Sequence, residues 1–199
     1  MKAKQTSISR LYRSVETQCG ESRQLGMTMV ELLVTISIAA VLATIAAPSM
    51  VSTMNDIRQK SAANLIASDL NFARGEAIKR NMRVLICATN AGGTGCETTS
   101  PSWLAGWVVC IDSDSDGVCD ASSAAMPNPI RARPALNSKL TFGALDTAAT
   151  PVSVSSIRFN ANSTQGAGSL GVNMSLGGTW SGATARVIAV ANTGNITSK

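Results

Sequence analysis

The most uneven feature of the chain is where its apolar residues lie. Residues 28–47 read TMVELLVTISIAAVLATIAA, a run of 20 positions with a single charge, Glu31. At about 1.5 Å per residue, a helix of this length crosses the ~30 Å hydrocarbon core of a bilayer. The alternative is a buried core helix, but a helix apolar on all faces needs a large surrounding domain. The pattern therefore predicts a transmembrane helix over residues 28–47.

A second helical pattern follows Pro48 and continues to about Asn81. Apolar positions recur there at spacings of three and four, which marks one stripe of an amphipathic helix: Ala62, Ile66, Leu70, Ala73 and Ala77. Pro48 lacks a backbone N–H and should loosen the helix locally. The stripe is interpreted as a docking face for a sheet of the same chain, with a partner surface as the alternative.

Beyond Arg83 the pattern changes to short β-type runs separated by turn residues. The runs cover residues 84–88, 107–111, 153–159, 170–176 and 186–190. One long helix followed by short strands predicts an α+β fold: a long N-terminal transmembrane helix packed on an antiparallel β-sheet or a small β-sandwich head. The expected segments are residues 1–26, the helix over 27–81, and a β-rich head over 82–199.

Composition excludes several classes of function. The 199 residues are 45% apolar and 15% charged, so the chain can bury a core. They include no His, which excludes Ser-His-Asp and Cys-His nucleophiles and His-ligated metals. Only 4% are aromatic, which argues against a stacking platform for single strands. Without a nucleophile-base pair or a phosphate-binding Gly motif, the chain is not expected to be an enzyme.

The net charge of +5 is concentrated at the N-terminus. Residues 1–26 hold five of the 17 basic and two of the 12 acidic residues, so the remainder carries only +2. A basic flank stays on the cytoplasmic side of a membrane, which predicts export of the C-terminal part. The charge that remains is weak support for a nucleic-acid partner.

The junction before the apolar run resembles the leader junction of type IV prepilins and type II secretion pseudopilins. It reads Gly26-Met27-Thr28-Met29-Val30-Glu31-Leu32-Leu33-Val34. The resemblance implies that prepilin peptidase removes residues 1–26, cuts between Gly26 and Met27, and methylates the new amine. Glu31 becomes the fifth mature residue. Met27 stands where the family usually has Phe.

A second motif narrows the resemblance to the GspH/FimT group of minor pseudopilins and minor pilins. It reads Trp103-x-x-Gly106-Trp107-Val108-Val109-x-x-Asp112. The resemblance implies a pilin fold, no cofactor, and a single-pass protein of the bacterial inner membrane with a periplasmic head. It implies incorporation at or near the tip of a type IV pilus or type II secretion pseudopilus. Its partners would be other minor subunits and the major subunit.

Glu31 needs a partner on physical grounds as well. A carboxylate within an apolar span costs about 2.5–3.5 kcal/mol on insertion scales. A cationic N-terminal amine, from the same chain or a neighbouring subunit, would offset this cost. The alternative is that Glu31 lies near enough to the interface to remain solvated.

Four of the five cysteines, Cys87, Cys96, Cys110 and Cys119, lie in the part expected to be exported. They allow three connectivities. Each local pair is nine residues apart and begins at a strand end, which favours Cys87–Cys96 and Cys110–Cys119 disulfides. A four-Cys zinc site is the alternative, although the usual C-x₂₋₄-C spacing is missing. The fifth, Cys19, lies in the expected leader.

An acidic run, Asp112-Ser113-Asp114-Ser115-Asp116-Gly117, matches the D-x-D-x-D-G half of a calcium loop. Asp120 falls at the ninth position, where it can contribute in part. The twelfth position, normally a bidentate Glu, is Ser123. The run therefore indicates either a calcium site or a solvated acidic turn held by the Cys110–Cys119 disulfide.

Basic residues leave DNA binding as an alternative function, that of a minor pilin serving transformation. Arg74, Lys79, Arg80 and Arg83 cluster near the helix end, and Arg131 and Arg133 flank a Pro-rich loop. Some minor pilins that this chain resembles bind DNA through a C-terminal G-R-x-R segment. The matching residues here are Gly194-Asn195-Ile196-Thr197, which lack both arginines. The helix-end cluster is better explained as positive charge that complements the helix dipole.

Overall fold

The structure is a computed structural model that describes residues 26–146, 153–162, 164 and 171–199. Residues 1–25 of the expected leader, including Cys19, therefore lie outside the described residues. The chain divides into two compact units, one ending at Thr44 and one spanning Ile45–Lys199. Its elements in chain order are α1 (Met29–Arg80), β1 (Val84–Ala88), a 3₁₀ turn (Trp103–Ala105), β2 (Trp107–Ile111), β3 (Arg131–Arg133), β4 (Leu140–Asp146), β5 (Ser156–Phe159), β6 (Val172–Gly178), β7 (Arg186–Val190) and β8 (Ile196–Ser198).

Within the second unit, the amphipathic part of α1 buries the stripe expected from the sequence. Ala62, Ile66, Leu70, Ala73 and Ala77 are all buried, and they belong to the same apolar core as residues of both sheets. The helix α1 continues through Pro48 and ends at Arg80, one residue before the expected end. The expected boundary between residues 81 and 82 coincides with the end of the helix. It does not separate two cores, because residues of the helix and of the strands belong to one core.

The strands form two four-stranded antiparallel sheets, as in a small sandwich. The first has the order β3-β2-β1-β5 and the second the order β4-β6-β7-β8. Three of these strands, β3, β4 and β8, are absent from the sequence prediction. Two of them have only three residues, and β4 is interrupted by Gly143, so none shows a clear apolar alternation.

The central strands β1 and β2 are buried on both faces. Val84, Ile86 and Ala88 of β1 face the main core, together with Trp107 and Val109 of β2. The alternate positions, Leu85, Cys87, Val108 and Cys110, form a second cluster that Cys96 and Cys119 cover. This arrangement explains why both strands read as continuous apolar runs and not as alternating ones.

The two tryptophans of the motif fasten different parts of the head. Trp103 donates a hydrogen bond from Nε1 to the carbonyl of Val154 (2.7 Å) and stacks on Phe142 of β4 at 5.8 Å. Trp107 donates from Nε1 to Asp69 of α1 (2.9 Å). Both indole rings are buried, so the motif connects the helix, the first sheet and β4.

Candidate functional site

The expected processing junction is exposed and lies outside regular structure. Gly26, Met27 and Thr28 precede the helix, which begins at Met29, and the Thr28 carbonyl accepts its first hydrogen bond, from the N–H of Leu32 (3.1 Å). Gly26 is exposed, and Met27 keeps 62% of its surface open. An exposed segment directly before a helix is accessible to a peptidase.

Glu31 lies in the first turn of α1, where the structure reveals a cap that the sequence reading missed. The hydroxyl oxygen of Thr28 accepts a hydrogen bond from the backbone N–H of Glu31 (3.2 Å). Thr28 is therefore the N-cap residue, and Glu31 is the third helical residue of a T-x-x-E capping pattern. The positive end of the helix dipole also stabilises a carboxylate at this position.

The first part of α1 is apolar and entirely exposed. Among the described residues, one span is long and apolar enough to cross a membrane: Met29–Ala46, 18 residues with none of the window buried. Large apolar side chains remain exposed further along the helix, at Met50, Val51, Met54 and Ile57. An apolar surface of this extent is a membrane or protein contact surface.

The cysteines form two disulfides with the local pairing that the sequence favours. Cys87 is joined to Cys96, and Cys110 to Cys119. The two bridges lie side by side, with Sγ of Cys96 3.7 Å from Sγ of Cys119. Because all four thiols are used in disulfides, this cluster does not act as a four-thiolate zinc site.

Asp69 is the centre of a buried ionic cluster that sequence reasoning missed. Its carboxylate accepts hydrogen bonds from Arg131 (2.6 Å), from Arg133 (2.7 and 3.0 Å) and from the Trp107 indole (2.9 Å). Burial raises the pKa of the Asp69 carboxyl, but the bonds from Arg133, Arg131 and Trp107 outweigh it, so the pKa lies below its ordinary value. The guanidinium of Arg131 also stacks over the ring of Phe72 at 3.6 Å.

A signal for this cluster was present in the helical spacing. Positions 62, 66, 69, 73 and 76 follow one face of α1, and two of them carry the carboxylates of Asp69 and Glu76. Acidic residues on a buried stripe need cationic partners. The partners of Asp69 lie on β3, the short strand that the sequence pattern did not predict.

The acidic run folds into a tight loop after β2. Carboxylate oxygens of Asp112, Asp114 and Asp116 all lie within 4.8 Å of one another, and Asp112 is completely buried. Asp120 does not join this group. Its carboxylate instead accepts hydrogen bonds from the backbone N–H (3.1 Å) and the hydroxyl (2.5 Å) of Ser113. The expectation that Asp120 contributes from the ninth position is therefore replaced by a role in shaping the loop.

The basic residues are largely engaged within the head. Arg131 and Arg133 lie on β3 and pair with Asp69. Near the helix end, Arg80 and Lys79 pair with Glu76 at 2.6 and 3.6 Å, and the bond from Arg80 lowers the pKa of Glu76. A phosphate backbone would have to compete with these carboxylates, which removes the main support for a DNA-binding surface.

Comparison with known proteins gives the family. The profile of the family described as Type II transport protein GspH matches residues 62–194, and the prokaryotic N-terminal methylation motif matches residues 22–47. The first match covers more than half of the chain, and the chain belongs to the GspH family. No curated protein matches it.

Two crystal structures of the type IV minor pilin FimU from Pseudomonas aeruginosa are similar to the chain. One is 20% identical, with a TM-score of 0.48, and covers 74% of this chain and 92% of that chain. The other is 23% identical, with a TM-score of 0.45, and covers 70% and 91%.

Family membership defines the class of function. The protein is a minor pilin or pseudopilin, and its methylation motif implies processing by prepilin peptidase. Members of this family are structural subunits that assemble with other pilins, not enzymes. The alternative of DNA binding has no support from these matches.

Proposed function

We propose that the chain is an inner-membrane precursor that becomes a minor subunit at or near the tip of a type IV pilus or a type II secretion pseudopilus. Residues 1–26 are the leader, which prepilin peptidase removes by cutting between Gly26 and Met27. Residues 28–47 cross the inner membrane once, and the head faces the periplasm. The major subunit and other minor subunits are its partners.

The division of α1 into two surface types carries this proposal. The stretch Met29–Ala46 is apolar and has no buried residue, whereas the later helix contributes Ile66, Leu70 and Ala73 to the core of the head. An exposed apolar helix is stable in a bilayer or in a bundle with other apolar helices. The same surface therefore suits both the precursor in the membrane and the subunit in a filament.

Exposed apolar residues beyond the span support the filament state. Met50, Val51, Met54 and Ile57 lie outside the 18-residue window, yet each exposes more than two fifths of its surface. Contact with helices of neighbouring subunits would remove these side chains from water. Their burial would contribute about 25 cal/mol per Å².

Cleavage is tested by determining the N-terminus of the protein purified from its native membrane. The expected mature chain begins at an N-methylated Met27. A Gly26→Ala precursor should remain uncut. Gly75→Ala serves as a control, because Gly75 is exposed near the end of α1 and a Cβ added there would have no atom within 4 Å. Recovery of the intact Met1 terminus from cells containing active peptidase would contradict the proposal.

The role of Glu31 is tested by two substitutions that separate its charge from its place in the helix. Glu31→Asp keeps the negative charge and should retain assembly, whereas Glu31→Gln keeps the shape and should lose it, because only a carboxylate neutralises an N-terminal amine. Incorporation is measured as the fraction of subunit co-purifying with sheared filaments or tip complexes. Equal incorporation of both variants would show that Glu31 acts only at the helix start.

A further inference from the structure

The loop after β2 contains a buried carboxylate without a completed hydrogen bond. Asp112 has no exposed surface, and neither of its oxygens forms a hydrogen bond of ordinary length and angle with the described residues. A buried, unsatisfied carboxylate costs several kcal/mol unless a cation or donors compensate it. Its oxygens lie in the same group, within 4.8 Å, as those of Asp114 and Asp116.

The backbone wraps around this group. Ser115 and Gly117 adopt left-handed conformations, with φ of 74° and 87°. This conformation turns the chain back on itself, and only Gly adopts it without strain. Asp114 and Asp116 each use Oδ1 to accept a loop N–H, at 3.3 and 2.7 Å, which leaves the second oxygen of each carboxylate for a further ligand.

Surrounding contacts hold the loop in place. The Cys110–Cys119 disulfide closes it, and Asp120 binds Ser113 across it. The amide of Asn128 donates to the carbonyls of Ile111 (3.1 Å) and Asp120 (2.7 Å). The acidic group is therefore preorganised by residues that are not themselves in it, as a binding site requires.

We propose that Asp112, Asp114 and Asp116 bind one Ca²⁺ ion, which supplies the positive charge that the buried Asp112 carboxylate lacks. The donors are all oxygens, which Ca²⁺ prefers and Zn²⁺ does not. Mg²⁺ demands a near-octahedral shell and gives up water reluctantly, so a site built from several protein carboxylates suits it less well. This site is independent of processing and filament assembly, and so goes beyond the proposed function.

Burial raises the pKa of the Asp112 carboxyl, in agreement with an uncompensated charge. The N–H groups of Ser115 and Gly117, which do not reach hydrogen-bond geometry, and the guanidinium of Arg83 act in the opposite direction without cancelling the effect. A carboxylate offers about four lone-pair sites, so these neighbours leave room for a metal ion.

The affinity should be weak. Ser123 occupies the position where a bidentate Glu completes a full calcium loop, and Asp120 is engaged with Ser113. Three carboxylates with carbonyl and water ligands place the site in the class of extracellular modules, with a Kd of about 10⁻⁴–10⁻³ M.

The test is a titration of the full chain, purified in detergent and freed of metal with a chelator. Calorimetry with CaCl₂ alone should show one ion per chain. At ten times the Kd, the Tm should rise by about 3–6 °C, with a smaller rise for MgCl₂ at the same concentration. Absence of a response at about 10 mM, or an equal response to Mg²⁺, would overturn the proposal.

Variants identify the ligands. Asp114→Asn with Asp116→Asn should weaken calcium binding at least tenfold, and both positions are exposed, so folding is expected to persist. Glu97→Gln removes one negative charge from another loop, at a partly exposed position, while keeping the Oε1 acceptor, and it should bind calcium as the parent does. Asp112→Asn should also abolish binding. If Asp112→Asn does not fold, the variant with Asp114→Asn and Asp116→Asn provides the test. An unchanged calcium affinity of that variant would disprove the proposed site.

Discussion

Asp69 and Asp112 are both completely buried, yet their surroundings shift their pKa values in opposite directions. Asp69 has two arginines and an indole as donors, and its pKa is lowered. Asp112 has no completed hydrogen bond, and its pKa is raised. The charged form of Asp69 is thus compensated within the chain, whereas that of Asp112 is not. The sequence pattern identified Asp112 through its motif. For Asp69, the helical spacing marks a buried acid, but its arginine partners could not be predicted because they lie 62 and 64 positions away.

Replacing Asp69 by Asn should destabilise the head strongly. Arg131 and Arg133, each about two-thirds buried, would lose their shared counter-charge. Because the arginines keep some access to water, the loss is expected at about 2–4 kcal/mol. Urea unfolding followed by tryptophan fluorescence measures it. Asp56→Asn is the matched control: Asp56 is exposed, its Oδ1 accepts from Trp180, and Asn keeps that acceptor. A loss equal to that of the control would refute the role of the cluster.

The same cluster predicts a pH dependence. Since the pKa of Asp69 is lower in the folded state than its unfolded value of about 3.9, its contribution to stability is complete above that value. That contribution is lost as the pH falls through the folded pKa. The urea midpoints of the parent and of Asp69→Asn should therefore converge from about pH 5 to about pH 2. If the difference between the two midpoints stays constant over this range, the negative charge of Asp69 is not what stabilises the parent.

Among the elements, the helix and the two central strands could be predicted because their burial is periodic or continuous. The stripe of α1 lies on one face, and β1 and β2 are buried throughout. The short strand β3 could not be predicted, because its Arg-Ala-Arg sequence becomes a strand only by pairing with β2 and Asp69. Tertiary contacts, not local propensity, specify such a strand.

The structure explains why the tryptophan motif contains a glycine, Gly106. Its φ is 110°, and a Cβ at this position would lie 2.3 Å from the carbonyl oxygen of Arg133. Gly106→Ala should therefore cost at least about 2 kcal/mol, through backbone strain and a clash with backbone atoms. Gly143→Ala is the comparison, since a Cβ added there would have no atom within 4 Å, and it should cost nothing and gain up to about 1 kcal/mol. Equal unfolding midpoints for the two variants would contradict this interpretation.

At the scale of the whole molecule, the boundary between the two compact units falls inside α1 and not at the end of the helix. The sequence predicted a helix and a head as successive segments, but the compact unit begins at Ile45 and includes the later helix. The reason is physical: residues 62–77 of the helix supply part of the core that the two sheets cannot complete alone.

A chain of residues 45–199 should therefore fold without the apolar span. It is expected to remain in solution with both disulfides formed and to unfold in one cooperative transition. A chain of residues 82–199, which lacks the helix, should fail to fold because the core residues Ile66 and Leu70 are missing. Sedimentation, peptide mapping without reductant and circular dichroism measure the three properties. Folding of the shorter chain would show that the helix is dispensable.

The two neighbouring disulfides have a consequence for where the protein can mature. They cover the second apolar cluster, which Leu85, Cys87, Val108 and Cys110 form on β1 and β2. In the reduced chain, no covalent bond would hold Cys96 and Cys119 over Leu85 and Val108. Reducing compartments do not maintain such bonds. The head thus reaches its final form only where thiols are oxidised. Formation of the two disulfides is therefore a step in folding the head.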